Sequence, residues 1–370
     1  MQVTVKGPKE LMEEVIGAGL CALCGACAGM CPYLRSFEGR IVQMDECTLS
    51  EGHCYQHCPR THTDMDAVSQ RRFGAPYAGD ELGSVREVLI ARSADGGVRE
   101  RGQYGGVVTS LLSLAMTEGL IDAAVVTEAS SGRMPEAVVA RSAADILRCA
   151  GSSYMACSVL ETLNRLPEDS REKLAVVATP CQALALNKMM LDAPANRPAV
   201  GNTKLTLGLF CTWALSPEEF HRFLRTNLNL SEVKKFDIPP PPANVFEAYT
   251  VSGKASFSLD QVREFTMSTC AYCLDMTAEF ADISVGSVEG IDGWNTVIVR
   301  TEAGADLLKM ARARGSIETE ILPEANLAHL KEASLLKKKR ALRAITDRTG
   351  DSSDLLYLGL AKEVADRLLG

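Results

Sequence analysis

The sequence predicts an α/β chain with α+β character: a small cysteine-rich module, then strands alternating with helices, then a helical tail. Three observations carry this. Seven of the 13 cysteines fall between Cys21 and Cys58, in a stretch without long periodic apolar segments, as expected where metal rather than apolar packing holds the chain. From about Ala75, apolar runs of strand length alternate with runs of helix length, the pattern of a layered sheet. After Pro323 the chain reads as helical to its end. The expected boundaries are residues 1–74, 75–322 and 323–370.

Each element of the large domain has a local reason. Gly105-Gly106 precedes an apolar helical run at 107–116, Gly119 closes it, and 121–126 is strand-like. Residues 175–178 read as a buried strand. Thr179-Pro180 then turns the chain, the proline opening a helix over 182–190. A strand at 205–210 runs into Cys211, and Ser216-Pro217-Glu218-Glu219 starts a helix with acidic residues in its first turn. Four prolines at 239–242 enforce an extended crossing. Residues 245–257 alternate as a hairpin, 283–285 and 296–299 read as strands, and 303–313 as a helix. The run Lys337-Lys338-Lys339-Arg340 reads as a solvated helix face, with docking of an acidic partner as the alternative.

Composition narrows the class. At one domain per ~150 residues, 370 residues hold two or three domains, and 46% apolar with 23% charged residues fits neither disorder nor a membrane bundle. A net charge of −8 offers nucleic acid or anionic lipid no general attraction. No apolar run reaches the ~18 residues of a membrane span. Lys6 and Lys9 are followed by Glu13 and Glu14 instead of an apolar signal core, so a cytoplasmic location is expected, where clustered thiols bind metal instead of pairing.

Cys21-x2-Cys24-x2-Cys27-x3-Cys31-Pro32 is the iron–sulfur run of bacterial ferredoxins, in which three close thiolates hold one [4Fe–4S] cube and the fourth serves another. A four-thiolate zinc knuckle is the alternative. Cys47-x6-Cys54-x3-Cys58-Pro59 ends in the same Cys-Pro signature but is short of thiols. By the crossed logic of two-cluster ferredoxins, Cys21, Cys24, Cys27 and Cys58 hold the first cluster. Cys31, Cys47 and Cys54 remain for a second, either [3Fe–4S] or a cube with an outside ligand. His53 and His57 are candidates for that ligand, with surface histidines as the plainer reading. Cys181, Cys211, Cys270 and Cys273 sit at element ends and could hold a third cluster, against the alternative of small buried hydrophobes. Cys149 and Cys157 are expected in the core.

Gly105 to Ser110 sets glycines and hydroxyls at a helix start, where free N–H groups favour a phosphate or an electron-rich ring. Neither G-x-G-x-x-G nor a Walker loop is present.

Several separated motifs together resemble the beta subunits of coenzyme F420-reducing hydrogenases and F420-linked formate dehydrogenases, a family with relatives in F420H2 dehydrogenases, sulfite reductases and chlorophyll side-chain reductases. The motifs are Tyr104-Gly105-Gly106-Val107-Val108-Thr109-Ser110-Leu111-Leu112, Gly151-Ser152-Ser153-Tyr154, Ala178-Thr179-Pro180-Cys181-Gln182, Gly208-Leu209-Phe210-Cys211, Cys270-Ala271-Tyr272-Cys273, and 281–287 followed by Gly293-Trp294. They span roughly residues 75–310. The resemblance implies a small 2[4Fe–4S] ferredoxin-like domain, a mixed-sheet FAD-binding domain and a helical extension. It places Gly105, Gly106, Val107, Thr109, Ser110, Ser152, Ser153, Tyr154, Thr179, Gln182, Gly286 and Ser287 near the FAD.

Ser153 stands where many F420-linked members carry lysine. The hydride carrier therefore stays open between F420 and NAD(P)H, with ferredoxin as a further electron source. The implied role is to convert hydride transfer into single-electron transfer through two or three clusters. The implied partner is a hydrogenase, formate dehydrogenase or heterodisulfide-reductase-like protein, and no side-chain acid or base is required. An electron-transfer adaptor without its own soluble substrate, and a zinc-stapled interaction protein, are the alternatives.

Overall fold

The computed structural model of the chain describes residues 6–128, 134–192, 198–239 and 243–370. Prolines 240–242 of the expected extended crossing lie outside these residues. The spine is an eight-stranded sheet in the order Ile317–Glu320, Glu87–Ser93, Asn295–Val299, Ile283–Ser287, Thr203–Leu209, Leu174–Ala178, Ala123–Glu128, Glu136–Ala140. The four strands from Ile283–Ser287 to Ala123–Glu128 run parallel, and antiparallel strands flank them on both sides. Parallel strands need cover on both faces. Alternate residues show that they have it: Ala123 and Val125 belong to one core, Ala124 and Val126 to the other. Helices Val159–Asn164 and Pro180–Leu191 cover the first face, and Val107–Thr117 and Glu302–Ala313 cover the second.

A separate three-stranded antiparallel sheet, Val233–Asp237, Val245–Thr250 and Lys254–Ser258, carries the expected hairpin and packs on its own aromatic core around Phe220 and Phe246.

The cysteine-rich module is pinned to the first face through its backbone. Leu160 donates its N–H to the Cys24 carbonyl at 3.0 Å, and the Asn164 amide donates to the carbonyls of Ala26 and Ala28 at 3.1 and 2.8 Å. Gly25, at φ +85°, lies so close to helix Val159–Asn164 that a Cβ would stand 2.5 Å from the Glu161 nitrogen. Its small size therefore serves the seam between module and sheet domain.

The tail begins with the helix Glu324–Thr349, but it is not helical throughout. Leu358–Gly359 forms a short parallel pair with Thr63–Asp64 of the module before the helix Lys362–Leu369. Cys24 and Met65 of the module, Leu184 of the large domain, and Ile345 and Leu358 of the tail share one core. The basic run departs from a solvated face at two of its four positions, since Lys337 is 4% and Lys338 0% exposed. Lys338 pairs with Glu279 and donates to the Tyr77 hydroxyl at 3.0 Å. Burial works against its charge, but the Glu279 carboxylate outweighs that and holds the ammonium above the usual lysine range. Among the described residues, no helix is long and apolar enough to cross a membrane.

Candidate functional site

A cavity of about 1410 Å³ opens at the carboxyl ends of the parallel strands, walled by Val126, Val177, Thr179, Leu209, Phe210, Gly286 and Ser287. This is where open α/β sheets place ligands, and the volume exceeds the roughly 300–1,000 Å³ of pockets for drug-sized ligands.

The helix start at Gly106 forms one wall. Gly106, Val107 and Thr109 line the cavity, as do Ser152, Ser153, Tyr154, Thr179, Gln182, Gly286 and Ser287. Gly105 and Ser110 stand behind it. The Ser110 hydroxyl is spent on Ser93 at 2.7 Å, and a Cβ at Gly105 would lie 2.7 Å from the Asn295 side-chain oxygen and 2.8 Å from the Ala91 carbonyl. Gln182 organises the turn it opens. Its side-chain oxygen accepts from the Thr179 N–H, and its amide donates to the Cys157 carbonyl, both at 2.8 Å. The Tyr154 hydroxyl accepts from Gln103 at 2.6 Å and from the Ile238 N–H at 2.9 Å, tying the cavity to the small sheet. Cys149 and Cys157, expected in the core, are partly buried: each packs against one of the two cores of the large sheet and also lines the cavity. Burial still pushes both thiols up to about 11.

The other wall is thiol-rich. Cys181, Cys211, Cys270 and Cys273 all line the cavity; Cys211 feels the charge of the other three, and Cys270 that of Cys273 and Cys181. Burial raises Cys181, Cys211 and Cys270, whereas at Cys273 the cations Lys337 and Arg60 overcome burial and pull the thiol below its ordinary value. The Lys337 ammonium is held at 2.6 Å by the Cys211 carbonyl and at 2.7 Å by that of Asp275.

Two further thiol groups lie behind this one. Cys21, Cys24, Cys27 and Cys58 act electrostatically on one another, and Cys54 responds to Cys31 and Cys47. Burial is the main cause that raises Cys21, Cys24, Cys27, Cys54 and Cys58, to about 11 for Cys21 and for Cys54. Main-chain N–H groups point at sulfur, from Leu23 to Cys21 and from Arg60 to Cys58, both at 3.4 Å, and from Ala214 to Cys270 at 3.3 Å. Such donors favour the thiolate that a metal needs. Cys27 senses Cys54, and Cys21 and Cys24 sense Cys181, so the three groups form a row that ends at the cavity. Arg60 sits between the first group and the cavity group, donating to the Thr269 hydroxyl at 2.8 Å and to Tyr357.

His53 and His57 take another direction. Both rings turn to Asp192, neither is among the main groups acting on Cys54, and His57 is 1% exposed instead of lying at the surface.

Several residues that shape the site carried no motif. The Asn295 amide donates to the Gly286 carbonyl at 3.1 Å, and its oxygen accepts from the Val107 N–H at 3.4 Å, joining the two glycine-bearing walls. Arg60 is another, and Lys337 belongs to the basic run whose sequence suggests a solvated face instead of a cavity wall. Lys337 did leave a trace, because Ser334, Lys338, Ala341, Leu342 and Ile345 mark a buried helical stripe that it borders.

The model of the coenzyme F420 hydrogenase/dehydrogenase beta subunit N-term matches residues 88–164, and that of the C terminus matches residues 171–325. The chain is 34% identical to coenzyme F420 hydrogenase subunit beta of Methanothermobacter thermautotrophicus, over 72% of this chain and 96% of that protein. It is 31% identical to coenzyme F420-dependent sulfite reductase of Methanocaldococcus jannaschii, over 91% of this chain, but spans only 52% of that protein's length. Among solved structures, a chain of the F420-reducing [NiFe] hydrogenase complex from Methanosarcina barkeri superposes with a TM-score of 0.66 at 30% identity, covering 73% of this chain and 94% of that one. The glycine, hydroxyl and cysteine motifs that line the cavity at the strand ends are thus shared between the two matched regions, and the chain belongs to the coenzyme F420 hydrogenase/dehydrogenase beta subunit family.

Proposed function

We propose that this chain exchanges a hydride with coenzyme F420 and passes the electrons one at a time, through iron–sulfur clusters, to or from a partner enzyme. One observation carries the reading: a single cavity joins a glycine-bearing helix start at the strand ends to a four-thiol wall, with two more thiol groups in a row behind it. The residues present fit both cofactors. Gly106, Val107, Thr109, Ser152, Ser153, Tyr154, Thr179, Gln182, Gly286 and Ser287 would hold FAD in a space large enough for a dinucleotide. The buried thiols with N–H groups aimed at sulfur suit [4Fe–4S] clusters. Bound there, FAD would supply the conversion between hydride and single-electron chemistry.

The chain's own residues do the rest. Asn295 and Gly106 fix the helix start, Tyr154 closes the cavity toward the small sheet, and Lys339, Arg340 and Arg343 give the cavity a positive wall. That wall offers an anionic carrier the charge that Ser153 does not. The kinship with F420 hydrogenase beta subunits favours F420 over NAD(P)H. Cys31, Cys47 and Cys54 lie at the opposite end of the row, and the chain on either side of Cys47 carries exposed Met44 and Leu49. A hydrogenase, formate dehydrogenase or heterodisulfide-reductase-like partner would meet the row there.

The test is anaerobic mixing of the flavin-loaded protein with F420H2, NADH and NADPH in turn. Bleaching of the flavin by F420H2 alone is the expected result. Bleaching by a nicotinamide instead moves the site to NAD(P)H, and no bleaching by any of the three leaves an electron-transfer adaptor.

A further inference from the structure

We infer that His53, His57 and Asp192 form a binding site for a divalent transition-metal ion of the zinc type, separate from the cysteine groups. His53 opens the one-turn helix His53–Gln56 and His57 caps it, and this i, i+4 spacing sets both imidazoles on one side. Asp192 caps the helix Pro180–Leu191 of the large domain and reaches them across the seam. His53 Nδ1 lies 3.0 Å and His57 Nε2 3.7 Å from Asp192 Oδ2, and the three ligand atoms all fall within 4.8 Å of one another. Two ligands bound tetrahedrally at ~2.0–2.1 Å stand about 3.3 Å apart, and the two carboxylate–imidazole separations of 3.0 and 3.7 Å bracket that span.

The second observation is His57 itself. It is 1% exposed, and neither ring nitrogen finds a hydrogen-bond partner among the described residues, although Nε2 points at the Asp192 carboxylate. A buried imidazole left so is costly, and an ion at Nε2 supplies a partner to one of its two nitrogens. Lys188 lies nearby, but its ammonium is taken by the carbonyls of Cys58 and His62 and by the Thr61 and Thr63 hydroxyls. Two neutral imidazoles and a carboxylate suit zinc and its neighbours, whereas the soft thiols suit iron–sulfur chemistry. His53 is exposed, which leaves a remaining coordination position open to water. An ion here would clamp the segment bearing Cys54 and Cys58 to the large domain.

The full chain, isolated anaerobically, is dialysed against Zn2+ buffered with nitrilotriacetate, and zinc and iron per chain are counted by mass spectrometry. The wild type should hold about one zinc more than Asp192→Ala and than His57→Gln, with iron equal in wild type and Asp192→Ala. Zinc should raise the melting midpoint of the wild type and leave that of Asp192→Ala unmoved. Equal zinc in wild type and Asp192→Ala, or zinc gained only as iron is lost, would overturn the assignment. Asp192 is only partly buried and spares the fold, so the comparison holds even if His57→Gln is unstable.

Discussion

Lys337 and Cys273 show how one side chain sets the character of another. A lysine in a buried helical stripe normally gives up its charge or finds an anion. Lys337 finds two carbonyls, of Cys211 and Asp275, and its positive charge falls on the cavity thiols. Lys337→Met keeps the stem and removes the charge. If these thiols hold a cluster, the variant should keep its iron but reduce at a more negative potential, because an added electron loses its nearest cation. A redox titration followed by electron paramagnetic resonance reads this, and an unmoved potential would remove Lys337 from the tuning. At the same scale, Cys273→Ala should cost about four irons per chain, one cube's worth, whereas Cys149→Ala should cost none. Equal iron in the two proteins would refute a third cluster.

At the scale of elements, the seam between the module and helix Val159–Asn164 can be tested apart from backbone strain. Gly25 and Gly74 have the same left-handed φ, +85° and +75°, but a Cβ at Gly25 meets the Glu161 nitrogen at 2.5 Å while one at Gly74 meets nothing within 4 Å. Gly74→Ala should therefore cost only the left-handed strain, about 1 kcal/mol, and Gly25→Ala at least about 2 kcal/mol more. Similar denaturation midpoints for the two variants would show that the seam yields freely. The same elements explain what the sequence made legible. Strand Leu174–Ala178 sits in the parallel centre, buried on both faces, and appears as an unbroken apolar run, while its neighbour Thr203–Leu209 carries leucines at 205, 207 and 209. The edge strand Ile317–Glu320 has one buried residue in four, and Glu136–Ala140 one in five, too weak an alternation to read. Glu87–Ser93 carries the short apolar run 88–91 but pairs only with strands far along the chain, so its place in the sheet has no local mark. The thiol motifs were legible because their cysteines stand close together along the chain. Arg60 and Asn295 were not, because they meet their partners, Tyr357 and Gly286–Val107, through tertiary structure.

For the molecule as a whole, the tail acts as the brace across the thiol row. Leu358–Gly359 extends the module by pairing with Thr63–Asp64, and Thr63 donates its N–H to the Tyr357 carbonyl at 2.8 Å. The Tyr357 hydroxyl accepts from Arg60 and donates to the Tyr272 carbonyl at 2.6 Å, between the two cysteines Cys270 and Cys273. One phenol thus anchors the guanidinium that stands between two thiol groups. Removing residues 351–370 exposes the sites of Tyr357, Leu358 and Leu368, each worth roughly 1.5–3 kcal/mol of burial, and leaves Arg60 short of a partner. The truncated chain should melt several degrees lower and, if the thiol row holds clusters as proposed, release iron to a chelator faster than the full chain. Tyr357→Phe separates the two effects, since it keeps the packing and deletes only the hydroxyl. It should retain most of the stability while still losing iron faster, because Arg60 is no longer fixed beside Cys58 and Thr269. If Tyr357→Phe releases iron at the wild-type rate, the brace works through packing alone and the Arg60 anchor is incidental to the clusters.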